Sequence, residues 1–395
     1  MTSKKKYLLY LCLFVSLSLN GLVIIFDTIP YALPKIEKRY FPPKTLQSTS
    51  ESIGVQEESL IVNGALKMIS SNTTYTSWSE PQGFTHELLK ILRGKSSTEY
   101  GLNNYPQAFL YYGLTEYFIQ TQDFKSLDIV KEKFDKYTVL SKNILRVDQV
   151  PNGLTALSLY KVYNEEKYLE YSKDIFNFVL EQIEEDGLLS YRKGQATIFP
   201  DTLGLVIPFL LKYDKHTELD AKKIAHNQMQ YFINYGVNKK TYLPVHAVNR
   251  FNNIPLGSVN WGRGIGWYAI ALSQLHKETG YFEKEYNGLI YSLEKIKNND
   301  GLWGQFPGSN DNFDASATLL FMYANIINHQ KKLEKFNVID SLKDHISNDG
   351  FILETSGDTY GINRYSNTFS KSELSQGLLL LILSEVYKNK EAKTQ

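Results

Sequence analysis

The sequence predicts an all-α protein built as a closed (α/α)6 toroid, and three observations predict it. Six apolar, small-residue-containing helices open about fifty residues apart, each opening is marked by turn and capping residues, and no sustained period-two alternation runs through the chain after about residue 58. An interval of that size holds two helices and their connections at about 1.5 Å rise per residue. Each unit therefore reads as a helical hairpin. The opening helices are apolar nearly all round and belong inside, whereas partners such as LDAKKIAHNQMQYFINYG carry one charged face and belong outside. An open solenoid has the same alternation; six units with one apolar helix each fit closure better. In a closed ring the six inner helices point the same way and bring their amino-terminal ends to one mouth.

In chain order, Lys4, Lys5 and Lys6 come first, followed by an uncharged run from Tyr7 to Phe26 of about the length that crosses a bilayer. A signal peptide and an anchor share that pattern, but Phe26-Asp27-Thr28-Ile29-Pro30 offers no small-x-small cleavage site, so an uncleaved anchor is expected. The three lysines then stay in the cytoplasm and everything after Asp27 lies outside. Residues 1–6 form the tail, 7–26 the span and 27–57 a stalk, which is rich in Pro, Ser, Thr and Glu. The toroid occupies 58–395. Its openings are Asn104-Tyr105-Pro106-Gln107, Asp148 to Gly153, Pro200 to Gly204, Trp261 to Trp267, Asp314-Ala315-Ser316 and Glu373 to Gly377.

Composition narrows the function. With 395 residues, 43% hydrophobic and 22% charged, the chain has ample material for a core. The 43 Lys and Arg nearly cancel the 42 Asp and Glu, so the field a nucleic-acid binder needs is missing. A single cysteine, Cys12, allows no intrachain disulfide and no Cys-based metal site. No His/Asp/Glu cluster has metal-ligand spacing and no Gly-x-Ser-x-Gly elbow occurs, so neither a metal nor another cofactor is expected.

Several openings carry groups able to do chemistry. Asp201 begins an apolar helix, where a carboxylate commonly caps free amides, and Asp148 has the same ambiguity in its own hairpin. Two carboxylates delivered to one mouth can couple, raising one pKa until that group is an acid near neutrality. Trp261-Gly262-Arg263-Gly264-Ile265-Gly266-Trp267 is the strongest local signal. Its glycines imply close backbone approach, Trp261 and Trp267 offer flat faces to a sugar ring, and Arg263 offers a fork matched to a carboxylate. A structural turn with a surface arginine reads equally from that stretch alone. His246 lies in the loop before it, and Ser316 opens the fifth inner helix.

With these stretches in view, the chain resembles the unsaturated glucuronyl and rhamnogalacturonyl hydrolases of glycoside hydrolase families 88 and 105. The resemblance rests on Val147 to Gly153, Phe199-Pro200-Asp201-Thr202, the Trp261 to Trp267 stretch, Asp300-Gly301-Leu302-Trp303-Gly304-Gln305 and Ser316-Ala317-Thr318, in the family's order over roughly residues 100 to 386. It implies an oligo- or polysaccharide substrate ending in a 4,5-unsaturated uronic acid, attacked by hydration of the vinyl ether. Asp201 would be the general acid and Asp148 its partner. Arg263, Trp267 and Trp261 would bind the sugar, His246 would lie near the double bond and Ser316 near the carboxylate. Many relatives have a second acidic residue directly after the catalytic one; here Thr202 stands there. A noncatalytic glycan-binding or assembly protein, and a hydrolase of saturated glycosides on the same fold, remain open from sequence.

Overall fold

A computed structural model of the chain describes residues 3–25, 36, 40, 44–46, 55–71, 74–76, 103–141, 144–257, 260–309, 313–328, 338–359, 361–366 and 368–394. In chain order its helices are α1 (Ser3–Val23), α2 (Val55–Ser70), α3 (Tyr105–Thr121), α4 (Phe124–Phe134), α5 (Asn152–Tyr163) and α6 (Glu166–Gln182). There follow α7 (Pro200–Tyr213), α8 (Ala221–Gly236), α9 (Gly262–Thr279), α10 (Glu283–Lys295), α11 (Ala315–Asn328), the short α12 (Val338–Leu342) and α13 (Glu373–Thr394).

The odd-numbered helices from α3 to α13 form the inner ring. Apart from half-buried Asp201 of α7, their first turns are buried on every side, as in α3, where each residue from Tyr105 to Phe118 is buried. The partners α4, α6, α8 and α10 bury one stripe each, such as Leu127, Val130 and Phe134 of α4. Neighbouring inner helices touch at similar distances from their starts: Phe109 of α3 meets Gly377 of α13, Gly204 of α7 meets Trp267 of α9, and Gly266 of α9 meets Leu320 of α11. Similar offsets mean parallel helices, so their amino-terminal ends share one face, as the repeat pattern predicts. Closure lies at α3 and α13. A Cβ on Gly113 would sit 2.2 Å from the Gly377 carbonyl oxygen, and one on Gly377 2.3 Å from that of Phe109, so only paired glycines allow this approach.

Two details depart from the simple repeat. The sixth inner helix takes its outer partner, α2, from the beginning of the domain. Glu58 of α2 accepts hydrogen bonds from Tyr117 of α3 (2.9 Å) and Tyr387 of α13 (3.1 Å), tying the seam. The fifth hairpin has only the five-residue α12 and a following 3-10 turn on its outer side among the described residues.

At the opposite mouth, Glu116 accepts from Lys212 (3.1 Å), Lys388 (3.3 Å) and Ser158 (2.5 Å), joining the carboxyl ends of four inner helices. Burial alone would raise this carboxyl, but the two ammonium groups and the hydroxyl outweigh it and hold it at about 2.

Strands too short to leave a periodic signal frame the amino-terminal mouth. β1 (Thr197–Ile198), β2 (Ala247–Asn249) and β3 (Ile254–Leu256) form an antiparallel sheet in that order, and β4 (Thr355–Ser356) pairs with β5 (Phe369–Ser370).

α1 includes a 20-residue apolar segment, Lys4–Val23, that is not buried among the described residues. Among the described residues it is the one helix long and apolar enough to cross a membrane. Phe26 to Pro30 and most of residues 27–57 lie outside the described residues. Within that stretch, Thr45 bridges Ser347, and the Leu46 amide donates to the Ile346 carbonyl (3.0 Å).

Candidate active site

Among the described residues the mouth holds three carboxylates, one buried arginine and an aromatic wall. Asp201 is the second residue of α7, held there by Pro200 at the first helical position and by β1 just upstream. It is half-buried, and its Oδ2 is shielded from water with no hydrogen-bond partner among the described residues. Burial is the main reason its carboxyl rises to about 7. Asp358 and Asp148 add to the rise, against the pull of Arg263 and a backbone amide. The cap position of α7 is Phe199, so Asp201 is not the cap, and its buried oxygen engages none of the free amides.

Asp148 sits on a 3-10 turn, Val147–Gln149, whose Gln149 side chain accepts from the amides of Leu145 (2.7 Å) and Arg146 (3.1 Å). Its Oδ1 takes a short hydrogen bond from the Tyr191 hydroxyl. Burial raises its pKa, the Tyr191 bond lowers it, Asp358 raises it, and Arg146 and Arg192 lower it. Asp148 and Asp201 thus lie within electrostatic reach of each other, as the openings predict.

Arg263 is only 1% exposed, so it is no surface arginine. Nη1 donates to the Ser356 carbonyl (2.7 Å), Nη2 donates to that of Gly357 (2.6 Å), and Nη2 lies 3.5 Å from Asp358 Oδ1. That same oxygen accepts from the Tyr105 hydroxyl (2.6 Å). Arg263 therefore fixes the loop after β4 and supplies the interior cation facing the carboxylates.

The aromatic wall differs from the sequence expectation. Trp261, 3% exposed, packs on His246 (ring centroids 4.7 Å apart) and on Tyr365 (5.8 Å), and its indole N–H has no partner among the described residues. His246 stacks on Tyr365 at 5.5 Å and shares a 3.1 Å hydrogen bond with its hydroxyl. Burial lowers the imidazole to about 4, so it is neutral at physiological pH.

Trp267 stands behind this wall, not in it. It is 1% exposed and packs against Tyr105 (5.6 Å), Phe109 (5.3 Å) and Gly204, because its position one turn into α9 points it between α3 and α7. Ser316 is likewise fully buried, giving its hydroxyl (2.7 Å) and amide (2.9 Å) to Asp314, which also accepts from the Ser356 hydroxyl (2.6 Å). Through Ser356 it supports the loop that Arg263 clamps. The three glycines of the motif make room for neighbours: a Cβ would sit 2.8 Å from the Gly304 carbonyl at Gly262, 2.5 Å from the Trp261 ring at Gly264 and 2.6 Å from Leu320 at Gly266. Thr202 is 2% exposed, and its hydroxyl has no hydrogen-bond partner among the described residues.

Sequence reasoning missed Asp358, Tyr191 and Tyr365, which stand in loops with no distinguishing pattern. Tyr105 was visible only as part of a helix opening. No group of three or more His, Cys, Asp or Glu suited to a metal occurs among the described residues.

A parallel helical toroid with an acidic mouth, one carboxyl poised near neutrality and an aromatic wall is an arrangement suited to acid–base chemistry on a sugar. Comparison with known proteins narrows the class. The model of Glycosyl Hydrolase Family 88 matches residues 85–390. The unsaturated rhamnogalacturonyl hydrolase YesR of Bacillus subtilis (strain 168) is 21% identical over 312 residues, covering 73% of this chain and 90% of that protein. A crystal structure described as a possible member of the GH105 family from Klebsiella pneumoniae superposes with a TM-score of 0.70 at 17% identity, covering 87% of this chain and 96% of its own. The unsaturated glucuronyl hydrolase of Bacillus sp. GL1 superposes with a TM-score of 0.61 at 13% identity, covering 83% and 95%. The chain belongs to glycosyl hydrolase family 88 and is an enzyme of the glycoside hydrolase class.

Proposed function

We propose that the enzyme releases the terminal residue of oligo- or polysaccharides ending in a 4,5-unsaturated uronic acid by hydrating the C4=C5 vinyl ether. The observation that carries this reading is Asp201: a carboxyl with a pKa of about 7 and an unpartnered oxygen, beside two further carboxylates and one buried arginine. Protonation of carbon needs such an acid, still protonated near neutral pH. The names of the Bacillus relatives, which concern unsaturated rhamnogalacturonyl and glucuronyl hydrolysis, support it.

Asp201 gives its proton to C4, the double-bond electrons form the new C–H bond, and positive charge spreads over C5 and the ring oxygen. Water adds at C5 and returns a proton to Asp201. The resulting hemiketal opens between C5 and the ring oxygen, leaving C1 a hemiacetal that expels the next sugar. Asp148, held by Tyr191, orients the ring hydroxyls. Together with Asp358 it keeps Asp201 protonated and offsets the charge developing at C5. Trp261, His246 and Tyr365 supply the face on which the ring packs, while Arg263, Trp267 and Ser316 hold that face and its loop from behind. Because the bond changes are at C4 and C5, the spacing rule for inverting and retaining carboxylates does not apply. The test is loss of the ultraviolet absorbance of unsaturated uronyl oligosaccharides on addition of the full chain.

α1 anchors the enzyme in this reading, with Lys4 to Lys6 in the cytoplasm and the toroid outside. Protease added to intact cells should then digest the toroid and spare α1. Full protection of the toroid would reverse the orientation.

A further inference from the structure

The rim of the mouth carries an apolar surface that the proposed reaction does not use. β2 and β3 form a hairpin whose base belongs to the site, since β2 directly follows His246 and pairs with β1 at the entrance to the Asp201 helix. Its tip, Phe251 to Leu256, reads FNNIPL and carries no charge. Phe251 is 70% exposed and Ile254 50%, with Pro255 exposed beside them. Single apolar side chains are ordinary on a surface, but three on one uncharged tip call for a partner.

The tip is held in this shape by contacts that leave its apolar groups uncovered. The Phe251 amide donates to the Asn249 side chain (3.0 Å), the Ile254 amide to that of Asn252 (3.2 Å), and the Tyr231 hydroxyl of α8 to that of Asn253 (2.9 Å). Arg250, 2.8 Å from Asp186, lies 4.7 Å from the centre of the Phe251 ring. Tyr231 packs on Tyr235 (5.0 Å), which is 42% exposed, so two aromatic rings with polar ends continue the surface onto α8. The chain itself supplies an apolar occupant, because α1 is long and apolar enough to cross a bilayer. The segment after α1 docks on the mouth side of the toroid. The Lys44 carbonyl accepts from the Asn348 amide (3.1 Å), inside the turn closed by the Ile346–Ile352 bridge, and the Glu354 carbonyl just after that turn accepts from the amide of Ala315 (3.1 Å), the first residue of α11. At up to about 3.5 Å per residue the chain from Val23 to Lys44 lets either mouth meet a bilayer. The docking point and the tip both select the active-site mouth.

We propose that the β2–β3 tip dips through Phe251, Ile254 and Pro255 into the surface of the bilayer that α1 spans, and so holds the active-site mouth beside the membrane. An uncharged tip gives up little hydration on entering the headgroup layer, and tyrosines suit that boundary. The enzyme is thereby directed to glycan lying close to the membrane. This inference rests on the reading of α1 as an anchor, and its test reads the two separately.

The test reconstitutes the full-length chain in phosphatidylcholine vesicles containing lipids with a nitroxide quencher high on the acyl chain. One sample carries a fluorophore on Cys12 in α1; in two others Cys12→Ser is combined with Pro255→Cys at the tip or with Lys215→Cys at the opposite mouth, and the new thiol is labelled. Because an interfacial segment sits about 5–10 Å into the headgroup and acyl boundary, the tip probe should lose about half of its emission and the Lys215 probe almost none. Phe251→Asp with Ile254→Asp should restore the tip emission while the Cys12 probe stays quenched. Equal quenching at both mouths, an unquenched tip beside a quenched Cys12, or tip quenching that survives the two aspartates would overturn the proposal and leave the anchor standing. A tip probe that ignores lipid and responds only to added unsaturated oligosaccharide would assign the tip to the glycan and overturn it as well. An unquenched Cys12 would defeat the anchor reading, and the proposal with it.

Discussion

Asp201→Asn should lower turnover on unsaturated uronyl substrates by about two to four decades while leaving substrate affinity nearly unchanged. Asparagine keeps the size and hydrogen-bonding shape of the side chain and removes the transferable proton. The same logic fixes the pH profile. Asp201 works protonated, so the rate of the parent should fall as pH rises through about 7. Asp148 works ionised, and burial holds its pKa above the usual carboxylate range, so the rate should also fall on the acid side. Single-turnover rates across pH for parent and variant check both parts. An Asn variant as fast as the parent, or a parent whose rate is flat from pH 6 to about 9, contradicts the role given to Asp201.

Arg263→Ala should destabilise the toroid by about 2–4 kcal/mol, below the upper range for broken buried pairs because Asp358 keeps some contact with water. From sequence alone this arginine reads as a carboxylate binder whose loss weakens affinity. In the structure its removal also leaves the Ser356 and Gly357 carbonyls without their donors and Asp358 without its cation, so stability and activity should fall together. Arg263→Lys keeps the charge but cannot reach two carbonyls with a planar fork, and it should lose part of the same stability. Thermal unfolding of the three proteins measures this. An alanine variant that melts with the parent would mean that the loop after β4 is held by other contacts.

The ring of helices was legible because its inner members are apolar on all sides, a pattern that only burial between neighbours explains. The partner of the sixth inner helix was not, since α2 precedes the first hairpin and a repeat read forwards ends without it. Asp148 and Asp201 were legible as a pair because parallel inner helices bring all openings to one face. Asp358 was not, because a loop and a two-residue strand carry it to Arg263 and neither has a periodic signature. The glycines from Gly262 to Gly266 were read correctly as points of close approach, but what approaches is Gly304, Trp261 and Leu320. Trp267 exposes the limit of motif reading most clearly: an aromatic residue near a helix start serves a sugar or a core equally well, and only its packing against Phe109 and Gly204 decides.

Hydration of a vinyl ether destroys the conjugated chromophore of the unsaturated uronyl group, so the central claim is tested by following ultraviolet absorbance while the full-length enzyme acts on a panel of polysaccharide-lyase products. Absorbance should decay in step with release of the next sugar for at least one member of the panel, and matched saturated glycosides should stay intact. Undiminished absorbance across the panel, or release of sugar from the saturated glycosides at a comparable rate, would contradict it.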